Sequence, residues 1–170
     1  MEGAGTVKKK SILFLSFTAL LSLYGCTSTP PKEETIFEYK DSYVGDSGAV
    51  GNITRPLAEP EGENMGGLEL KTTEEPYGII LNYSPDDSIE NSNLDYRELA
   101  LYNASIILAL VKNAEWVQFN FVEEEVKVSR DELQDWFVKD LRDFSEEEEL
   151  RSFIQGQLED EEKVDEFFRD

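Results

Sequence analysis

A chain of 170 residues with 37 Asp and Glu against 16 Lys and Arg carries a formal charge of −21, and it contains no histidine and a single cysteine. Such a charge argues against nucleic acid or anionic lipid headgroups as partners and favours cations or a basic protein, though it also simply keeps a protein soluble. The missing histidine excludes Ser-His-Asp catalysis, imidazole zinc sites and the usual general base near neutral pH.

In chain order, Lys8, Lys9 and Lys10 precede an uncharged apolar run from Ile12 to Leu23. That run falls short of the ~20 residues a spanning helix needs and fits the core of a signal peptide. Leu23-Tyr24-Gly25-Cys26 resembles the lipobox of bacterial lipoproteins, which is cut before a cysteine that carries diacylglycerol. Tyr24 departs from the smaller residue usual there. The resemblance implies cleavage between Gly25 and Cys26, lipidation of Cys26, and a protein held on the extracytoplasmic face of the cell membrane. The alternative is an ordinary signal peptide cut nearby, which leaves Cys26 as a free thiol. Each buried methylene contributes about 0.8 kcal/mol, so two acyl chains make a stable anchor. With Cys26 modified no thiol remains, which removes disulfides, thiolate metal sites and a cysteine nucleophile.

Removing residues 1–25 leaves 145 residues, enough for one domain, with 13 basic against 36 acidic side chains and a formal charge of −23. Residues 26–35 then form the lipidated cysteine and a flexible tether rich in Ser, Thr and Pro. Fully extended, ten such residues reach about 35 Å.

A folded domain is expected over residues 36–144. Asp46 or Ser47 can cap a short helix with Val50, Ile53 and Leu57 at helical spacing, and Pro56 limits its length. Ala58 to Gly67 reads as a loop. Leu68–Thr72 and Tyr77–Tyr83 alternate as strands, with Thr73–Pro76 as the hairpin turn between them. A polar loop from Ser84 to Asn93 leads to a helix over about Leu94–Asn113, capped by Asn93 or Asp95. Its apolar face holds Leu99, Tyr102, Ile106, Ala109 and Leu110. Trp116–Phe121 follows as a strand with Val117, Phe119 and Phe121 inward, and Val126–Val128 as a short further strand.

Ser129 with Glu132 makes a capping box for a helix carrying Leu133, Trp136, Phe137, Leu141 and Phe144. Ser145 with Glu148 makes a second, opening an acidic C-terminal helical extension over residues 145–170. The extension is a solvated face docked by its apolar side or, more sharply, a surface for a basic partner. The order predicts an α+β fold: a small, mainly antiparallel sheet of three to four strands with helices packed on one face. Parallel pairing of the third strand, after its helix, remains open.

Several motifs resemble chemistry they do not support. Gly45-Asp46-Ser47-Gly48 is similar to a serine-protease nucleophile signature, yet Ser47 has no histidine base. The spaced Gly45, Gly48 and Gly51 lack the Lys-Ser/Thr of a phosphate loop. Asp86–Asn91 starts like a calcium loop but has no glycine at its sixth position and Arg97 at its twelfth. Trp116 and Trp136 are either packing residues or a sugar platform. No catalytic residue, metal ligand or cofactor is expected.

Tyr39-Lys40, then Tyr43-Val44-Gly45-Asp46 with Val50 and Ile53, and Glu75-Pro76-Tyr77-Gly78-Ile79 leading to Tyr83 together resemble domain of unknown function family 4825 over about Ile36–Phe144. That family occurs in secreted and membrane-anchored proteins of Gram-positive bacteria. Tyr43, Gly45, Asp46, Pro76, Tyr77 and Gly78 are its motif positions here. It has no established activity, so the resemblance carries over no catalytic residue. Attachment of related domains to antibiotic-sensor metallopeptidases implies an accessory or sensing role.

The expected function is therefore a membrane-anchored, non-enzymatic binding, accessory or sensing module. Its expected partners are the membrane, through the lipid, and a basic envelope or membrane protein. The alternatives are a cation-responsive acidic domain and a carboxylate-based cell-wall hydrolase.

Overall fold

Two rows of apolar side chains cross a four-stranded sheet and fix its register. The computed structural model describes residues 35–86 and 96–169. Its strands are β1 (Glu63–Lys71), β2 (Gly78–Pro85), β3 (Trp116–Asn120) and β4 (Glu125–Ser129), in that spatial order. Leu70, Ile79, Val117 and Val128 are neighbours in one row; Leu68, Leu81, Phe119 and Val126 form the next. Side chains alternate between faces, so the row between them turns Glu69, Ile80, Gln118 and Lys127 to the opposite side. A slip of one residue would exchange the two sets. The outer pairs are antiparallel and β2 with β3 is parallel. The parallel pair is joined by a helical crossover, as parallel neighbours require. The fold is α+β.

That crossover is α2 (Tyr96–Leu110), and every residue from Asn103 to Leu110 is buried. The sheet covers one side. α1 (Ser47–Thr54), α4 (Glu147–Leu158) and a 3-10 turn at Leu141–Asp143 cover others. α3 (Arg130–Phe137) follows β4 directly, and α5 (Glu161–Phe167) packs on α4. The described residues belong to one compact unit, Glu34–Asp170.

Several caps match their sequence signals. Asp46 accepts from the Ala49 amide at 3.0 Å and starts α1. The Ser129 hydroxyl and the Glu132 carboxylate each bond the other's backbone amide, at 3.3 and 2.8 Å, and start α3.

Other boundaries differ from expectation. β1 begins at Glu63, not Leu68; Gly66 and Gly67 offer no side chain to reveal alternation, and the register shifts between Met65 and Gly67. α2 stops at Leu110, because Val111 instead pairs with the backbone of Ser42. The helix expected through Phe144 ends at Val138, which takes a left-handed conformation with φ 55°. Ser145 is not a cap: Glu146 holds that position and makes no side-chain capping bond.

Gly25, Cys26, most of the tether, the calcium-like segment beyond Asp86, and the caps Asn93 and Asp95 lie outside the described residues. Among the described residues, no helix is long and apolar enough to cross a membrane.

Candidate functional site

The two motif segments, thirty residues apart between Asp46 and Pro76, converge on the turn that follows α2. The Val44 amide donates to the Asn113 side chain at 2.8 Å, and the Lys112 amide donates to the Ser42 carbonyl at 2.9 Å. From the other segment, the Tyr77 carbonyl accepts from the Glu115 amide at 2.8 Å. The Pro76 carbonyl accepts from the Trp116 indole at 3.0 Å. Gly78 lies directly under Trp116: a Cβ there would stand 2.1 Å from the indole ring. Lys127 stacks its ammonium 4.3 Å from the centre of the same ring.

Arg130 closes this turn from beneath. Its guanidinium donates to the carbonyl of Ala114 at 2.6 and 2.9 Å and to that of Val111 at 2.9 Å. These carbonyls lie just beyond the C-terminus of α2, which an interior cation stabilises. Burial, then the charge of Arg142, pulls the Arg130 pKa down, while Glu115 opposes that effect at 3.8 Å. Arg142 is itself gripped by Asp140, whose carboxyl the guanidinium holds down at about 2.

Five residues, Glu75, Pro76, Tyr77, Asn113 and Glu115, border a cleft of about 400 Å³ at this turn. Its key polar atoms are already used by the protein itself: the Asn113 oxygen by Val44 and the Tyr77 and Pro76 carbonyls by Glu115 and Trp116. Tyr43 is 55 % exposed and stacks under Lys112, whose ammonium lies 3.9 Å from the ring centre. Gly45 stands in open space, and Asp46 is occupied as the α1 cap. Tyr43, Pro76, Tyr77 and Gly78 therefore form part of a scaffold around the end of α2, while Gly45 and Asp46 serve the start of α1.

A second opening, about 490 Å³, lies between the loop before β1, the first half of α2, and the end of α4. Leu99 and Tyr102, half-buried, and Leu158 give it apolar walls, with Pro60 beside them. Glu59, Glu61 and Glu98, all exposed, stand around these walls, and Gln155 completes the lining from α4. Among the described residues, no lysine or arginine lines it. Buried Asn103 pins the loop by donating to the Ala58 carbonyl at 2.9 Å.

The groove is also tied to the start of the domain. Tyr102 accepts from Arg151 at 3.1 Å, and Arg151 donates to Glu147 at 2.7 Å. Glu147 in turn accepts from the Thr35 hydroxyl and from the Ile36 amide at 3.1 Å. Burial pushes the Glu147 pKa up, but the bonds from Thr35 and Arg151 outweigh it and hold the carboxyl below its usual range.

At the far end of the sheet, buried Glu63 accepts from the Tyr96 hydroxyl at 2.5 Å and from the Val122 amide at 3.2 Å. Burial and then this carboxylate push the Tyr96 phenol up to about 12. Tyr83 is raised as well, by burial and by the charges of Glu59 and Glu63. Tyr96 stacks on Phe121 at 4.6 Å between ring centres. Among the described residues, no three acidic, cysteine or histidine side chains are grouped so as to hold a metal ion. Trp136 docks α5, donating to the Lys163 carbonyl at 3.1 Å and meeting Phe167 edge-on.

Three features escaped the sequence reading. Arg130 lies between the Ser129 and Glu132 of a capping box and has no other mark than being a cation in the first turn of a helix, where the dipole disfavours it. Glu63 was assigned to a loop. The groove's carboxylates were lost among 37 acidic residues.

These observations define an α+β domain wrapped around one buried helix, stapled at that helix's end and, among the described residues, open along its first half. The chain belongs to the DUF4825 family, a domain of unknown function, and the match covers residues 36–131. It ends one residue past Arg130, short of the expected Phe144, so α4, α5 and most of α3 lie beyond it. No curated protein and no solved structure matches the chain.

Proposed function

We propose that the protein is a lipid-anchored, extracytoplasmic module that binds a protein or envelope ligand in the groove beside α2 and performs no catalysis of its own. The observation that carries this reading is the groove itself, whose volume lies within the range of clefts that receive ligands. Leu99 and Tyr102 stay half-buried at its wall, whereas most of the large apolar side chains among the described residues are buried. The lipobox resemblance at Cys26 supports the anchor. The bond series Tyr102–Arg151–Glu147–Thr35 supports a sensing role, because it connects the groove to the point where the tether joins the domain.

Crosslinking in living cells tests this, with Cys26→Ala as the control. The expected result is a defined envelope species captured by the anchored protein and lost with Cys26→Ala. Turnover by the purified protein, abolished by a single carboxylate substitution, would sink the non-enzymatic reading.

One observation favours a second reading. Glu59, Glu61 and Glu98 share a cleft, which a carboxylate-based wall hydrolase requires. Release of reducing ends from peptidoglycan, lost with Glu98→Gln or Glu59→Gln, would establish that activity instead.

A further inference from the structure

We propose that the side of the sheet turned away from α2 binds a neutral glycan chain, stacked on Trp116 and hydrogen-bonded by a row of side-chain amides. The proposal goes beyond the groove reading and uses a different surface of the domain. Val117 and Phe119 are buried toward the core, so alternation turns Trp116, Gln118 and Asn120 the other way. The Gln118 amide nitrogen donates to Asn120 Oδ1 at 2.8 Å, and Asn120 Nδ2 donates to Asn82 Oδ1 at 2.7 Å. Asn82 Nδ2 donates in turn to Glu69 at 3.1 Å. These bonds cross from β3 over β2 to β1 and hold three amides in one row. They use one hydrogen of each amide nitrogen; a primary amide has two, and its oxygen can accept twice. The row therefore presents donors and acceptors side by side. Sugar hydroxyls, at once donors and acceptors, satisfy such a row.

Trp116 supplies the apolar part. A Cβ on Gly78 would stand 2.1 to 2.4 Å from three atoms at the junction of the indole rings, so the half-buried indole lies across that glycine. Its nitrogen is fixed by the bond to the Pro76 carbonyl. The Lys127 ammonium over the ring sits on an exposed, flexible side chain. Exposed contacts of this kind are weak, so a sugar ring can take its place and keep the ammonium beside it as a donor. Charge complementarity selects an uncharged ligand. On this face Lys71 and Lys127 balance Glu69 and Glu125, and Lys71 is bonded to Glu69 at 2.7 Å. The charge of −21 on the whole chain repels polyanions. A peptide strand is read by pockets for alternate side chains, whereas this face offers an indole followed by amides. Trp116 and Asn120 stand four residues apart along β3, about 13 Å, which exceeds one sugar ring and suits a chain.

Calorimetry on the full-length chain in phosphatidylcholine nanodiscs tests this, with empty nanodiscs as the control. The probes are hexamers of β-1,4-linked N-acetylglucosamine, β-1,4-linked glucose, α-1,4-linked glucose and β-1,4-linked mannose, beside the four monosaccharides. At least one hexamer should bind, tenfold or more tighter than its monosaccharide. The chain has two tryptophans, so a Trp136→Phe background assigns any change in emission on binding to Trp116. Asn120→Ala should weaken the hexamer tenfold or more. Gln118→Ala should do the same while leaving the Asn120–Asn82 bond in place, which separates lost contacts from a disturbed row. Leu99→Ser, in the groove, should change the affinity less than threefold. No binding by any hexamer, or binding that leaves Trp116 emission and the Gln118→Ala affinity unchanged, would overturn the proposal and leave the groove reading untouched. Loss of hexamer binding with Leu99→Ser would also overturn it, placing the glycan in the groove instead.

Discussion

The two ends of α2 have opposite characters. At its C-terminal end, the backbone from Val111 to Glu115 is bonded by Ser42, Tyr77 and Arg130, and both motif segments meet there. Along its first half, Leu99 and Tyr102 stay half-exposed beneath a rim of carboxylates, and the facing wall comes from α4, beyond the family match. The closed end explains the fold; the open end offers a surface. Motif residues and the proposed binding residues are therefore different sets, and substitutions at the two ends should separate stability from binding.

The largest effect is expected at the closed end. Arg130→Met strands the carbonyls of Val111 and Ala114 in the interior and should cost about 3 kcal/mol, read from urea denaturation. Gly78→Ala drives a methyl group into Trp116 and should cost about 2 kcal/mol, with a change in tryptophan emission. Pairing it with Trp116→Ala should give less than the sum of the two losses, because the clash disappears with the ring.

Asp140 sharpens the same comparison through pH. Its pKa is depressed in the folded state, so its contribution is present above the ordinary carboxylate range and is lost as pH falls from about 4 toward about 2. Asp140→Asn should cost about 1 kcal/mol at neutral pH after solvent screening, and the difference should fade as pH falls through about 2. Tyr96 runs in the opposite direction. Its raised pKa means its contribution is complete below the ordinary tyrosine range near pH 10 and lost as pH climbs toward 12. Tyrosinate absorbance should show a late-titrating fraction that Tyr96→Phe diminishes.

A smaller gain is expected at the end of α3. Val138 is 89 % exposed and β-branched at positive φ, so Val138→Gly should stabilise by about 1 kcal/mol. At the open end the effect on binding should exceed the effect on stability. Leu99→Ser, at a half-buried side chain packed against the core, should cost about 1 kcal/mol while removing ligand binding in the groove, which calorimetry and titration on the same sample would show.

Much of this fold was legible because periodicity and capping are local. The alternation through Ile79 and Leu81, the Asp46 cap and the Ser129–Glu132 box all come from residues adjacent in sequence. The boundaries that differed were decided by tertiary partners. Val111 leaves its helix to pair with Ser42, and Glu147 turns toward Thr35 and Ile36, more than a hundred residues away. The groove was illegible for a related reason. Leu99 and Tyr102 fall on the apolar face of α2 by spacing, and nothing local reveals that its first half is left uncovered. In so acidic a chain, Glu59, Glu61 and Glu98 carry no distinguishing mark.

The most direct test places a photo-crosslinking residue at position 99 or at position 77 of the full-length chain in living cells. A partner captured from position 99 and not from position 77 is the predicted result. Capture from position 77 alone would contradict it, placing the binding surface among the motif residues and reducing the groove to a packing defect.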